Sequence, residues 1–179
     1  MDKPDVYALV YGNMVNSERT ANYIKHVSGE SEVEFDENPS EIRIHSENLQ
    51  PVTLSGYRRD FSHEMTDDLL TGQWAEEYDS MLEMLQSQYP GTENRGALNI
   101  QEEDGSEMNA VLVPMTDEEL EFYEDAEMGY RLEEVNTDHI DSETDLPVFT
   151  AVSHNTGEAE PIVGYVEDCL DSWSDWSDE

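Results

Sequence analysis

Forty-four aspartates and glutamates against eight lysines and arginines leave this 179-residue chain with a formal net charge of −36. Nothing else in the sequence constrains its folding as strongly. Like charges spread over almost the whole length repel one another and oppose compaction at low ionic strength. At about 1 M salt the screening length falls to roughly 3 Å, and the repulsion is largely removed. The charge therefore predicts a protein that folds in a salt-rich cytoplasm, such as a halophile maintains. Circular dichroism supplies the check. Little structure is expected at about 0.1 M salt, with a gain as salt approaches several molar; a cooperative fold at low salt contradicts the reading.

High net charge is also a signature of disorder. Here 36% of the residues are hydrophobic and nine are tyrosine, and several segments alternate cleanly, which favours a core. A second alternative is an acidic interaction module that mimics nucleic acid toward a basic partner. Nucleic acid itself is not expected as a partner, because the chain has no basic patch. The length suggests one domain. No run of about 18 apolar residues suggests a membrane span, and Met1-Asp2-Lys3-Pro4-Asp5 does not read as a signal peptide. Cys169, the single cysteine, has no internal disulfide partner, which fits a reducing compartment; beside Leu170 it reads as a small buried hydrophobe.

Periodicity orders the chain as mixed strands and helices. Val6 to Tyr11 is a continuous apolar run, read as a buried strand that stops at Gly12-Asn13. A helix is expected from Ser17, with Thr20, Tyr23, Ile24 and Val27 on one face. Short strands are expected at Val33–Phe35 and Ile42–His45, and a firmer one at Val52–Phe61. Residues Met65 to Tyr89 read as helical, with Trp74, Tyr78, Met81, Leu82 and Leu85 forming an apolar stripe. Gly96–Gln101 and Met108–Val113 flank Asp104-Gly105, a strong hairpin signal. Thr116-Asp117-Glu118-Glu119 is a capping box that opens a further helix. Residues Gly129 to Val135 read as a turn into a strand, 136–145 as loop, and Pro147–Ser153 as a strand. A last helix starts near Pro161, and the tail from Ser172, notably 174–179, is expected to fray. The sum is an α+β fold: a mixed, mostly antiparallel sheet closing toward a small barrel, with three or four flanking helices.

Glu127 stands apart from the other acids because it falls between the capped helix and the following turn. A carboxylate at such a corner can face a cleft, whereas acids in charged runs are usually solvated.

Three separated segments resemble the γ-glutamyl cyclotransferase (AIG2-like) family. Tyr11-Gly12-Asn13-Met14 is similar to the family's Tyr-Gly-Ser-Asn-Leu/Met loop after the first strand, lacking the serine. Leu54-Ser55-Gly56-Tyr57 through Phe61 resembles its Leu-x-Gly-Tyr/Phe strand. Tyr123-Glu124-Asp125-Ala126-Glu127, followed by Tyr130 and Val135, resembles its Leu-Asp-x-x-Glu segment, with Glu124 replacing the aspartate. The resemblance implies one domain over 1–173, with 65–89 as a helical insertion. It also implies a reaction in which a γ-glutamyl amine or peptide cyclises to 5-oxoproline and releases a free amine, without metal or cofactor. Glu127 is then the general acid/base, with Glu124 as the competing acid. The Tyr11–Met14 loop would bind substrate through backbone amides, and Tyr130 is either a glutamyl contact or a packed core tyrosine. A non-catalytic protein on the same fold is the alternative.

No phosphate-binding glycine loop occurs. His26, His45, His63, His139 and His154 lack metal-ligand spacing, and the acidic run from Asp171 lacks the glycine and final glutamate of a calcium loop. The expected partner is a small-molecule γ-glutamyl substrate. Oligomeric state is left open.

Overall fold

A computed structural model describes residues 3–16, 48–174 and 176, apart from the side chains of 73 and 126. The helix expected from Ser17 and the strands at 33–35 and 42–45 lie outside the described residues. Among the described residues five strands form one sheet: β1 (Val6–Val10), β2 (Gln50–Glu64), β3 (Gly96–Met115), β4 (Tyr130–Glu134) and β5 (Val148–Ser153), in the order β2-β3-β1-β5-β4. Neighbours pair antiparallel except β1 and β5, which run parallel. The described helices are α1 (Gly72–Glu77), α2 (Met81–Gln88), α3 (Asp117–Ala126) and α4 (Val163–Ser174).

The central strand explains why its sequence is apolar throughout. Val6, Ala8 and Val10 point into one buried cluster with Val111, Val113, Met115 and Tyr123. Leu9 points into the opposite cluster with Leu54, Ile100, Leu112 and Val148. A strand covered on both faces cannot alternate with polar residues. α3 begins as its sequence dictates: the Thr116 side chain accepts from the Glu119 amide, and the Glu119 carboxylate accepts from the Thr116 amide.

Three expectations change. The sheet is open, not closed into a barrel. Isolated bridges Leu54–Ile140 and His63–Thr156 lie beside β2, but among the described residues β2 and β4 remain sheet edges. Asp104-Gly105 is not a hairpin turn. Gly105 takes the positive φ of 82° that a turn uses, yet β3 continues through it. β2 pairs with both flanking segments, and the register jumps from Ser55–Glu107 to Tyr57–Glu102, so the extra residues are absorbed as a bulge. Finally, the tail is ordered further than its composition suggests. α4 runs to Ser174, Ser172 is buried, and the Trp176 indole donates to the Val15 carbonyl at 3.3 Å.

The 65–89 segment is helical in two pieces. Ser80 caps α2 by accepting from the Glu83 amide at 3.1 Å. Met81, Met84 and Leu85 are buried with Ile162 in a third cluster, bordered by Trp74, Tyr89 and Met128. Here the methionines fill core space, as flexible thioethers do.

Candidate active site

β1 ends at Val10, and after Tyr11 the chain turns at Gly12 into a short 3-10 turn, Asn13–Val15. Several elements hold this loop. The Tyr11 hydroxyl donates to the Ala151 carbonyl on β5, and Arg59 Nη1 on β2 donates to the Tyr11 carbonyl at 3.1 Å. From α4, the Ser172 hydroxyl donates to the Asn13 carbonyl at 3.2 Å. A Cβ at Gly12 would stand 2.9 Å from the Tyr165 hydroxyl, so the position has no room for a side chain.

Glu127 is the C-cap of α3, its amide donating to the Tyr123 carbonyl at 3.2 Å. Its own carbonyl accepts from the Tyr130 amide at 3.2 Å. Gly129, at φ +80°, closes the corner. This geometry turns the Glu127 side chain into a cavity of about 420 Å³ that Tyr11, Gly12, Asn13, Met14 and Tyr130 also line. That volume lies within the usual range for a small-molecule site. All six residues singled out from the sequence thus surround one hollow. Glu124 does not: it is exposed, and its Oε1 accepts from the Leu132 amide at 3.4 Å.

Burial raises the Glu127 carboxyl from 4.5 to about 7, partly opposed by a hydrogen bond from Tyr123. Its place at the negative end of α3 acts in the same sense as burial. Tyr11, Tyr130 and Tyr165 are all held well above the usual phenol range, chiefly by burial, with the Glu127 charge as a further cause in each. Their hydroxyls therefore stay protonated. The Tyr130 hydroxyl donates to the Leu98 carbonyl, which fixes the ring as part of the wall.

Sequence reasoning missed two contributors. Tyr165 reaches the cavity from α4, one helical turn before Cys169, which is buried as expected. His63, fully buried on β2, lies behind the Glu127 corner. Its ring sits 4.1 Å from the Tyr130 ring, its Nδ1 is 2.7 Å from the Ser153 hydroxyl, and its Nε2 is 3.1 Å from Met65 Sδ. Burial lowers its pKa to about 4, partly offset by a hydrogen bond to the Met128 backbone, so it is neutral near pH 7. Spacing between histidines could not flag it, because its partners come from other elements.

A larger hollow of about 770 Å³ contains Arg59, Asp60, Trp173 and Trp176 but neither Glu127 nor the Tyr11–Met14 loop. Of the titratable groups with shifted pKa, Tyr11, Glu127, Tyr130 and Tyr165 line the smaller hollow and Arg59 the larger, so the smaller one is the better candidate for chemistry. No group of three or more metal-ligating side chains occurs among the described residues, and none of their helices is long and apolar enough to cross a membrane.

The fold is γ-glutamyl cyclotransferase-like. The chain is similar to a solved γ-glutamyl cyclotransferase at 14% identity and a TM-score of 0.59, over 95% of this chain and 79% of that one. It is also similar to a solved uncharacterized protein from Homo sapiens, at 13% identity and a TM-score of 0.52, with the same coverage. No family model and no curated protein matches the sequence. At such identities the likeness extends to the fold alone.

Proposed function

We propose that this protein is a γ-glutamyl cyclotransferase-like enzyme that converts a γ-glutamyl amine or peptide into 5-oxoproline and a free amine. One observation carries the reading: a carboxyl group with a pKa raised to about 7 lines the same cavity as the Tyr11–Met14 loop. The Glu127 carboxylate removes a proton from the substrate α-ammonium. The freed amine attacks the γ-carbonyl, forming the new C–N bond and a tetrahedral oxyanion. Glu127 then gives its proton to the departing nitrogen as the old C–N bond breaks, and the ring nitrogen releases its second proton to solvent to leave the lactam N–H. One group near neutral pKa serves both steps, which is the arrangement that general acid–base catalysis favours.

Amides of the Gly12–Asn13 turn are the donors for the substrate carboxylate or the oxyanion. The tyrosine-lined wall holds the substrate folded, which matters most in an intramolecular reaction. A salt-rich cytoplasm is the proposed setting, given the net charge of −36. The test is incubation with γ-glutamyl compounds in multimolar salt, followed by detection of 5-oxoproline. No release from any of them would favour a non-catalytic protein on this fold.

Tyr123 supplies a second check. Its hydroxyl lowers the Glu127 pKa by hydrogen bonding the charged form. Tyr123→Phe removes that bond, so the acidic limb of kcat/KM should move upward from about 7 by about one pH unit. A limb that stays in place, or moves down, separates Glu127 from the rate-controlling ionisation.

A further inference from the structure

His63 reaches no solvent, and the network around it leaves one arrangement of its protons. The Asn155 amide donates to the Ser153 hydroxyl oxygen at 3.1 Å, so the Ser153 proton needs an acceptor of its own. Among the described residues the one hydrogen-bonded to that hydroxyl is His63, whose Nδ1 lies 2.7 Å away. Nδ1 therefore accepts, and a neutral imidazole must then carry its proton on Nε2. Met65 Sδ, 3.1 Å from Nε2, agrees, because a thioether sulfur accepts and cannot donate. The same ring makes a hydrogen bond to the Met128 backbone. Met65 and Met128 both line the Glu127 cavity, so the ring proton points at the back of its wall.

The three residues that follow Glu127 all meet this ring. The Met128 backbone accepts its hydrogen bond, a Cβ on Gly129 would stand 2.8 Å from its Cε1, and the Tyr130 ring lies 4.1 Å away. Its support comes from β5, where Ser153 lies opposite Tyr130 in the β4–β5 pairing. We infer that His63 is a positioning residue for Glu127: its Nε2–H, held in that tautomer by Ser153, fixes the Met128–Tyr130 corner and so aims the carboxylate into the cavity. Its effect on turnover rests on the cyclotransferase reading above; its effect on the surroundings of the carboxyl does not. A neutral donor suits the place. A lysine or arginine could also tie the Met128 carbonyl, but its charge would favour the Glu127 carboxylate and draw its pKa down. Among the described residues, the titratable groups that face Glu127 are the phenols of Tyr11, Tyr123, Tyr130 and Tyr165. His63 holds the corner without adding a cation to them.

Imidazole nitrogen NMR in multimolar salt reads the tautomer directly: His63 should show a protonated Nε2 and a bare Nδ1. The opposite tautomer overturns the inference. Two substitutions then separate position from bulk. Glutamine can place its amide nitrogen where Nε2 stands, whereas asparagine reaches only as far as Nδ1. His63→Asn should lower kcat at least about tenfold and leave KM within about twofold. In the same variant the Glu127 carboxyl, followed by carboxyl carbon NMR, should titrate about one pH unit below its value of about 7, as water reaches it. His63→Gln should stay within about threefold of wild type in kcat and keep the raised pKa. Equal losses in both variants, or a Glu127 titration that neither substitution moves, overturn the inference, since that is how a residue that only fills space behaves. If His63→Asn does not fold, Ser153→Ala takes its place. The ring proton is then free to move to Nδ1, and the same losses are expected; their absence is equally decisive against the inference. Release of 5-oxoproline from no γ-glutamyl compound by the wild type would end the cyclotransferase reading, while the two NMR measurements would still decide whether His63 positions Glu127.

Discussion

Glu127→Gln should lower kcat/KM for 5-oxoproline release by about 10²–10⁴-fold, while the protein keeps its fold. Glutamine preserves the shape of the side chain and can still accept the Tyr123 hydrogen bond, but it can neither take the proton from the α-ammonium nor return one to the departing amine. Glu124→Gln should retain activity, because that carboxylate is exposed and holds the Leu132 amide. Loss of activity in Glu124→Gln alone would exchange the two roles. Stability is expected to move the other way. The Glu127 pKa is about 7 in the folded protein against 4.5 in the unfolded chain, so the folded state holds the proton more tightly. As pH rises from the unfolded to the folded value, the unfolded chain ionises first and the native state loses stability. Above pH 7 the full penalty is present; below about 4.5 both states are protonated and it disappears. Glu127→Gln should therefore be more stable than wild type by about 2 kcal/mol at alkaline pH, a figure that allows for partial exposure of the residue. Near pH 4 the two should converge. Denaturant titrations at the two pH values, in constant high salt, read this directly. A variant that is inactive yet equally stable at both would mean that the carboxylate is solvated.

Legibility in the sequence followed the range of the interactions. The capping box at Thr116 and the corner at Gly129 are made by residues a few positions apart, so their signals are local. Glu127 could be singled out because both of its flanks are local structures. The apolar run of β1 also reads correctly, since only a strand covered on both faces carries one. Failures arose where a distant partner decided the outcome. Asp104-Gly105 has the composition of a hairpin turn, but β2 offers pairing to both sides of it, and a bulge absorbs the turn. The tail looks soluble from its aspartates, whereas Trp176 finds a carbonyl at Val15, far away in sequence. His63 and Tyr165 were illegible for the same reason: one is defined by Ser153, Met65 and Tyr130, the other by Gly12.

Gly129→Ala is expected to cost about 3 kcal/mol of stability and to reduce activity as well. Two independent penalties add at this position. Alanine at φ +80° is strained, which costs on the order of 1 kcal/mol. Its Cβ would also stand 2.8 Å from His63 Cε1 and 2.8 Å from Leu69 Cδ1, and overpacking of a buried site costs about 1–3 kcal/mol. Gly105→Ala separates the two terms. Its φ of 82° is nearly the same, but nothing lies within 4 Å of the new Cβ, so only the backbone term of about 1 kcal/mol should appear. A similar loss in both variants would show that the His63 contact relaxes without cost. Catalysis distinguishes them further. His63 cannot retreat freely, because Ser153, Met65 and the Tyr130 ring hold it. The strain must pass instead into the corner that aims Glu127, where a displacement of about 1 Å can cost 10²-fold. Gly105→Ala, on a distant bulge, should leave kcat/KM as it is. Gly129→Ala should lower it by at least tenfold under conditions where both proteins are fully folded, because the glycine is what lets a helix end, a sharp turn and a buried histidine meet two residues from the proposed catalytic carboxylate.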